Sequence, residues 1–99
     1  LAFAGHVVAI VVFDKKGRLA ADPRIVGYGL PRGAEGDLDE ALTGELEDAL
    51  YDAMEALTRP QAQDDEAVEE QARRALRAAI KERWGKRPVI SVEIIRLEN

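Results

Sequence analysis

The segment GHVVAIVVFD, residues 5–14, is apolar at every position from 7 to 13 and rich in β-branched side chains, which makes it a strand. A strand on a solvated sheet alternates apolar with polar. This one carries Val7, Ala9, Val11 and Phe13 on one side and Val8, Ile10 and Val12 on the other. It therefore needs cover on both faces and belongs at the centre of a sheet. The apolar run falls far short of the roughly 20 residues that cross a bilayer, and no signal pattern precedes it. No membrane partner is expected, and a cytoplasmic location is.

The rest of the chain supplies what such a strand must pack against. The turn DKKG lets residues 18–20 pair back, Asp22-Pro23 interrupts, and RIVGYGL at 24–30 resumes as a second strand. Pro23, Gly27 and Gly29 place that strand at an edge, with room for a bulge. PRGAEG at 31–36 is a loop, and Asp37 or Asp39 can cap a helix with an acidic first turn. Leu42, Leu46, Ala49, Leu50, Ala53 and Leu57 form its stripe at three- and four-residue steps. Thr58-Arg59-Pro60 ends this helix and QAQDDE is a polar connection. Asp64 or Asp65 then caps a second helix with the stripe Val68, Ala72, Ala75, Leu76, Ala79, Ile80 and Trp84. Gly85 sits where a left-handed cap is expected, and Lys86-Arg87-Pro88 leads into the strand VISVEIIRL, with Ile90, Val92 and Ile94 on one face.

The order is β-β-α-α-β. Two antiparallel helices return the chain to the end where the first strand began, so the third strand runs parallel to the first. The expected fold is α+β: a three-stranded mixed sheet, order 2-1-3, with two helices packed on one face and the other face bare. At 99 residues, with 46% hydrophobic and 33% charged residues, a single soluble domain over residues 1–99 is expected. The start at Leu1, in mid-pattern and without Met, points to a domain excised from a larger protein.

Residues offering chemistry are few. With no Cys and only His6 among imidazoles, no Cys-ligated zinc, His pair or Cys-His dyad can be assembled. His6 reads as a strand-end residue. Glu45, Glu47, Asp48, Asp52 and Glu55 fit the solvent face of the first helix, with no pocket to raise a carboxyl pKa. Gly33-Ala34-Glu35-Gly36 spells GxxG, but it joins a strand to a helix and contains Glu35, so it reads as a loop.

Charge is uneven. Residues 1–34 carry five basic and two acidic side chains, residues 35–70 one and fourteen, and residues 71–99 eight and three. Arg73, Arg77 and Lys81 fall at four-residue steps along the second helix, with Arg74, Arg83, Lys86 and Arg87 nearby. They could contact phosphates, dock on an acidic surface, or neutralise the acids of the first helix. Aromatic residues do not interleave with this run, so single-strand stacking lacks support. The acidic middle segment opposes phosphate approach, and RNA binding by the domain is expected to be weak at best.

The hairpin GHVVAIVVFDKKGRLAADPRIVGYGL, with its DKKGRL turn, Pro23 and Gly29, resembles the start of the C-terminal domain of bacterial ribonuclease J. ARRALRAAIKERWGKRPVISVEIIRL is similar to that domain's close, where an amphipathic helix runs into a basic-basic-Pro step, here Lys86-Arg87-Pro88, and an Ile/Val strand. The resemblance spans about residues 5–97. It implies a parent enzyme of the metallo-β-lactamase type with a β-CASP insertion, using two zinc ions to hydrolyse RNA from the 5′ end and internally. Those metal ligands belong to an upstream region, and no position here matches them. The chain is then a non-catalytic accessory domain without a cofactor of its own, serving self-association or docking to the parent's catalytic region. Val7, Val8, Ile10, Val11 and Val12 are the candidates for association, and Arg73, Arg77, Lys81, Lys86 and Arg87 for RNA or docking contacts. An RNA-contact module and a free-standing small-molecule regulatory domain remain the alternatives.

Overall fold

A computed structural model describes residues 5–28, 40–83, 85 and 87–98. Its elements are β1 (His6–Phe13), β2 (Arg24–Tyr28), α1 (Glu40–Glu55), α2 (Arg59–Ala62), α3 (Asp65–Arg83) and β3 (Val89–Arg96). The sheet order is β2-β1-β3, with β2 antiparallel and β3 parallel to β1. The doubly apolar strand is therefore central, as its composition requires. The β1–β2 ladder runs without a break from Ile10 opposite Arg24 to His6 opposite Tyr28, so the bulge allowed for is absent there. Positions 29–39, which include the GxxG segment and the expected Asp37 or Asp39 cap, lie outside the described residues, as do Trp84 and Lys86.

The hairpin turn closes on Asp14. Its Oδ1 accepts the Lys16 amide at 2.8 Å and the Arg18 amide at 3.0 Å, and its own N–H donates to the Arg18 carbonyl at 2.7 Å. The Arg18 amide is the main reason the Asp14 carboxyl titrates below the usual carboxylate range. Gly17 takes φ +83°, where a Cβ would stand 2.9 Å from Gln63 Nε2. Beyond the turn, Leu19 bridges to Phe13 and the Ala20 amide donates to the Val12 carbonyl at 2.8 Å.

The core lies between one face of the sheet and the helices. Val7, Ala9, Val11, Phe13, Ile25 and Ile90 from the strands meet Leu46, Leu50, Met54, Val68, Ala72, Leu76 and Ile80. Of the helical stripes read from the sequence, Leu46, Leu50, Ala53, Val68, Ala72, Leu76 and Ile80 are buried in this core, Leu42, Leu57, Ala75 and Ala79 are partly buried against it, and Met54 joins it from outside the stripe. Gly85 terminates α3 at φ +79°, its amide reaching the Ile80 carbonyl at 3.0 Å, as a left-handed cap does. Asp64 caps the start of α3, its Oδ1 accepting the Glu66 amide at 3.0 Å.

One element departs from the expectation. Thr58-Arg59-Pro60 does not simply end a helix: it starts another, and Gln61 and Ala62 belong to α2 rather than to a polar connection. Thr58 Oγ1 accepts the Gln61 amide and Gln61 Oε1 accepts the Thr58 amide, a complete capping box with Pro60 in the first turn. The short turn buries Ala62 against the core side. Arg96, at the end of β3, fastens this corner. Its guanidinium donates to the Ala62 carbonyl at 2.8 Å and to Asp65 at 2.9 Å, and lies 5.2 Å from the centroid of the Phe13 ring. Among the described residues no helix is long and apolar enough to cross a membrane.

Candidate functional site

The period of two along a strand sends Val7, Ala9, Val11 and Phe13 under the helices, where each is at most 1% exposed. Val7 and Val11 are thereby removed from the association candidates: they are core, packed against the helices. The other three, Val8, Ile10 and Val12, point away from the helices and are only half-buried.

The register assembles these side chains into rows. Val26, Val8 and Ser91 make one, Arg24, Ile10 and Glu93 the next, and Val12 and Ile95 a third. Each row is a set of directly paired positions, so its members share a face. His6 and Val89 pair beyond Val8, with His6 Nε2 2.6 Å from Ser91 Oγ. Val89 is 54% exposed, Ile95 46% and Leu97 44%. With strands about 4.8 Å apart, two of eight residues and one of five, this outer face measures about 330 Å², and Arg24, Ser91, Glu93 and His6 share it with the apolar side chains. Sequence reasoning placed Ser91 and Glu93 on the less apolar side of the third strand. The register puts that side on the same face as Val8 and Ile10.

The basic stripe divides by partner. Arg73 reaches Glu69 at 3.4 Å and Arg74 reaches Glu70 at 2.8 Å, both one turn back on α3, while Arg83 pairs with Glu45 of α1. Neutralisation of the first helix thus falls to Arg83, and Arg73 and Arg74 answer acids of their own helix. Arg77, Lys81 and Arg87 make no ion pair among the described residues and line a cleft of about 360 Å³ with Ile80, Gly85, Pro88 and Ile90. Replacing Arg73, Arg77 and Lys81 together by Gln is expected to change RNA affinity by less than about twofold at physiological salt, since few phosphate contacts are at stake. A filter-binding titration checks this. A loss of about tenfold or more from micromolar binding would make the stripe an RNA contact.

Asp48, Asp52 and Glu55 are exposed, as their spacing implied. Glu47 differs: its Oε2 accepts the Ile25 amide at 3.1 Å and lies 3.9 Å from Arg24 Nε, so it closes the edge of β2. Sequence reasoning missed this, because the contact joins residues 22 positions apart. Among the described residues no group of three or more His, Asp or Glu could hold a metal ion. A chain with one His and no Cys does not fit a two-zinc site.

Comparison with known proteins completes the picture. The family model for the ribonuclease J C-terminal domain matches residues 1–97. The chain is 38% identical over 97 residues to a ribonuclease J of Sinorhizobium meliloti, covering 98% of the chain and 17% of that relative. It therefore spans about a sixth of the length of the curated relative it matches.

Proposed function

The chain belongs to the ribonuclease J C-terminal domain family, and on that premise we propose that it is a non-catalytic accessory domain of a cytoplasmic RNA-degrading enzyme. Its work is association, through the outer face of the sheet, either with a second copy or with the parent's catalytic region. The observation that carries this reading is the central strand. Val8, Ile10 and Val12 form an apolar ridge, flanked by Val26 and Ile95, that no helix among the described residues covers. Burying such a ridge is favourable at about 25 cal/mol per Å² of apolar surface. Catalysis, and the zinc it uses, belongs to the parent's other regions, since hydrolysis by a metal-activated water needs ligands that this chain lacks.

The chain incubated alone with RNA and Zn²⁺, Mg²⁺ or Mn²⁺ is expected to release no products. Metal-dependent hydrolysis that disappears on replacing His6 or an α1 carboxylate would overturn the non-catalytic part of this reading. For the association part, Val12→Glu in the parent enzyme is expected to reduce its assembly mass or RNA-degrading activity. An unchanged assembly and an unchanged activity together would overturn it.

A further inference from the structure

We propose that the cleft between the end of α3 and the start of β3 binds a phosphate monoester that carries an apolar ring, the chemistry of a mononucleotide. Arg77 and Lys81 line it from the helix and Arg87 from the chain leading into β3, over Ile80, Pro88 and Ile90. Ile80 and Ile90 belong to the core between the sheet and the helices, so the cleft opens on the helix side of the sheet. It is separate from the outer face, and nothing in it depends on the association reading.

Local structure gathers the three cations around one space. Arg77 and Lys81 stand four residues apart on α3 and therefore share one side of it. Gly85 ends the helix at φ +79°, and the space beside its Cα is open. The chain then passes through Arg87 to the buried Pro88, and the Val89 amide donates to the Gly5 carbonyl at 2.9 Å. That bond fixes the entry to β3 and holds Arg87 across from the helix.

Charge selects the ligand. Elsewhere on α3, Arg73 and Arg74 are answered by Glu69 and Glu70, and Arg83 by Glu45. Arg77, Lys81 and Arg87 are exposed and make no ion pair among the described residues, and no carboxylate is among the described residues that line the cleft. Like charges four residues apart on a helix repel, and a dianion set between them relieves that repulsion. Two guanidinium forks and an ammonium match the oxygens of a phosphate group. The volume of about 360 Å³ lies within the range of small-molecule sites and exceeds what a phosphate alone fills. Its apolar floor calls for an apolar group joined to the phosphate. RNA fits less well, because an extended polyanion also meets the acids of residues 35–70, none of which lines the cleft.

The test is calorimetric titration of the 99-residue chain with adenosine 5′-monophosphate at physiological salt, with a thermal melt of each variant to verify folding. A dissociation constant between about 10 μM and about 1 mM is expected. Inorganic phosphate leaves the apolar floor bare and adenosine leaves the cations without an anion, so each is expected to bind about tenfold more weakly or worse. Arg77→Gln, Lys81→Gln and Arg87→Gln are each expected to weaken binding of the monophosphate about threefold or more. Arg74→Gln makes the same charge change on α3 away from the cleft and should leave the affinity within about twofold. A monophosphate bound more weakly than about 1 mM, or no more tightly than inorganic phosphate, would overturn the site. So would an affinity indifferent to the three substitutions. A 5′-hydroxyl RNA oligomer or a tri-glutamate peptide that bound more tightly than the monophosphate, and lost this on Lys81→Gln, would overturn the mononucleotide in favour of that partner.

Discussion

Val11→Glu is expected to abolish the folded state of the domain. Val11 is fully buried, in the middle of the strand that pairs with β3 and packs beneath the helices. Val11 stands opposite Ile94 in the parallel ladder, and Val68, Leu46 and Leu50 share its core. A carboxylate there is either buried charged, at several kcal/mol, or buried protonated with no hydrogen-bond partner among the aliphatic side chains around it. A domain of this size has only about 5 to 10 kcal/mol of stability to lose. The expected readout is loss of the cooperative thermal transition in circular dichroism. Val12→Glu, one residue on and on the other face, is expected to keep that transition. Two variants that melt alike would mean that the faces of β1 are not distinguished by burial.

Leu76→Ala is expected to cost about 2 to 5 kcal/mol. Leu76 is fully buried on α3 and belongs to the cluster that holds α1 and the sheet together. Removing three carbons leaves a void between elements fixed by their own hydrogen bonds, so relaxation fills it only in part. For a domain of this length the loss lowers the melting temperature by about 4 to 8 °C per kcal/mol. A urea titration should show the midpoint falling with an unchanged slope. Leu97→Ala serves as the control, because Leu97 is 44% exposed and its loss should move stability by less than about 1 kcal/mol. Equal effects at the two sites would contradict the placement of the core.

The topology was legible because few alternatives satisfy a strand apolar on both faces. The chain offers two other strand segments and two long amphipathic helices, and a parallel return after the helices is what their lengths allow. The helical stripes were legible for the same reason, since burial repeats at three and four residues. The missing pieces are one local signal and two tertiary contacts. Thr58, Pro60 and Gln61 carry a capping box, but Pro read as a helix end hides a helix start. Glu47 sits among acids that look solvated, and only the nearby edge of β2 gives it an amide to accept. Arg96 lies in an Ile/Val strand, and nothing local announces that it will reach the Ala62 carbonyl and the Phe13 ring.

The association surface was half legible. Val8, Ile10 and Val12 could be separated from Val7 and Val11 by parity, but parity does not say which set the helices choose. That choice depends on how β1 registers with β3. The pairing of Ile10 with Glu93 and of Val8 with Ser91 puts the polar positions of β3 on the outer face. The helices take the side where Ile90, Val92 and Ile94 add to the core. The basic residues, in contrast, were grouped by helical spacing with three kinds of partner left open: Arg83 takes an acid of the first helix, one of the three, while Glu69 and Glu70 lie one turn before Arg73 and Arg74 and reach them first.

The most direct measurement of the central claim is the solution mass of the wild-type chain and of Val12→Glu by sedimentation equilibrium. Concentrations from about 10 μM to about 1 mM span the affinities expected of a small interface. The wild-type mass is expected to rise with concentration from the 10.9 kDa of one chain toward twice that value. The variant should remain at one chain mass while still melting cooperatively. A wild-type chain that holds one chain mass over the whole range, together with a parent enzyme whose assembly and activity ignore Val12→Glu, would contradict the account.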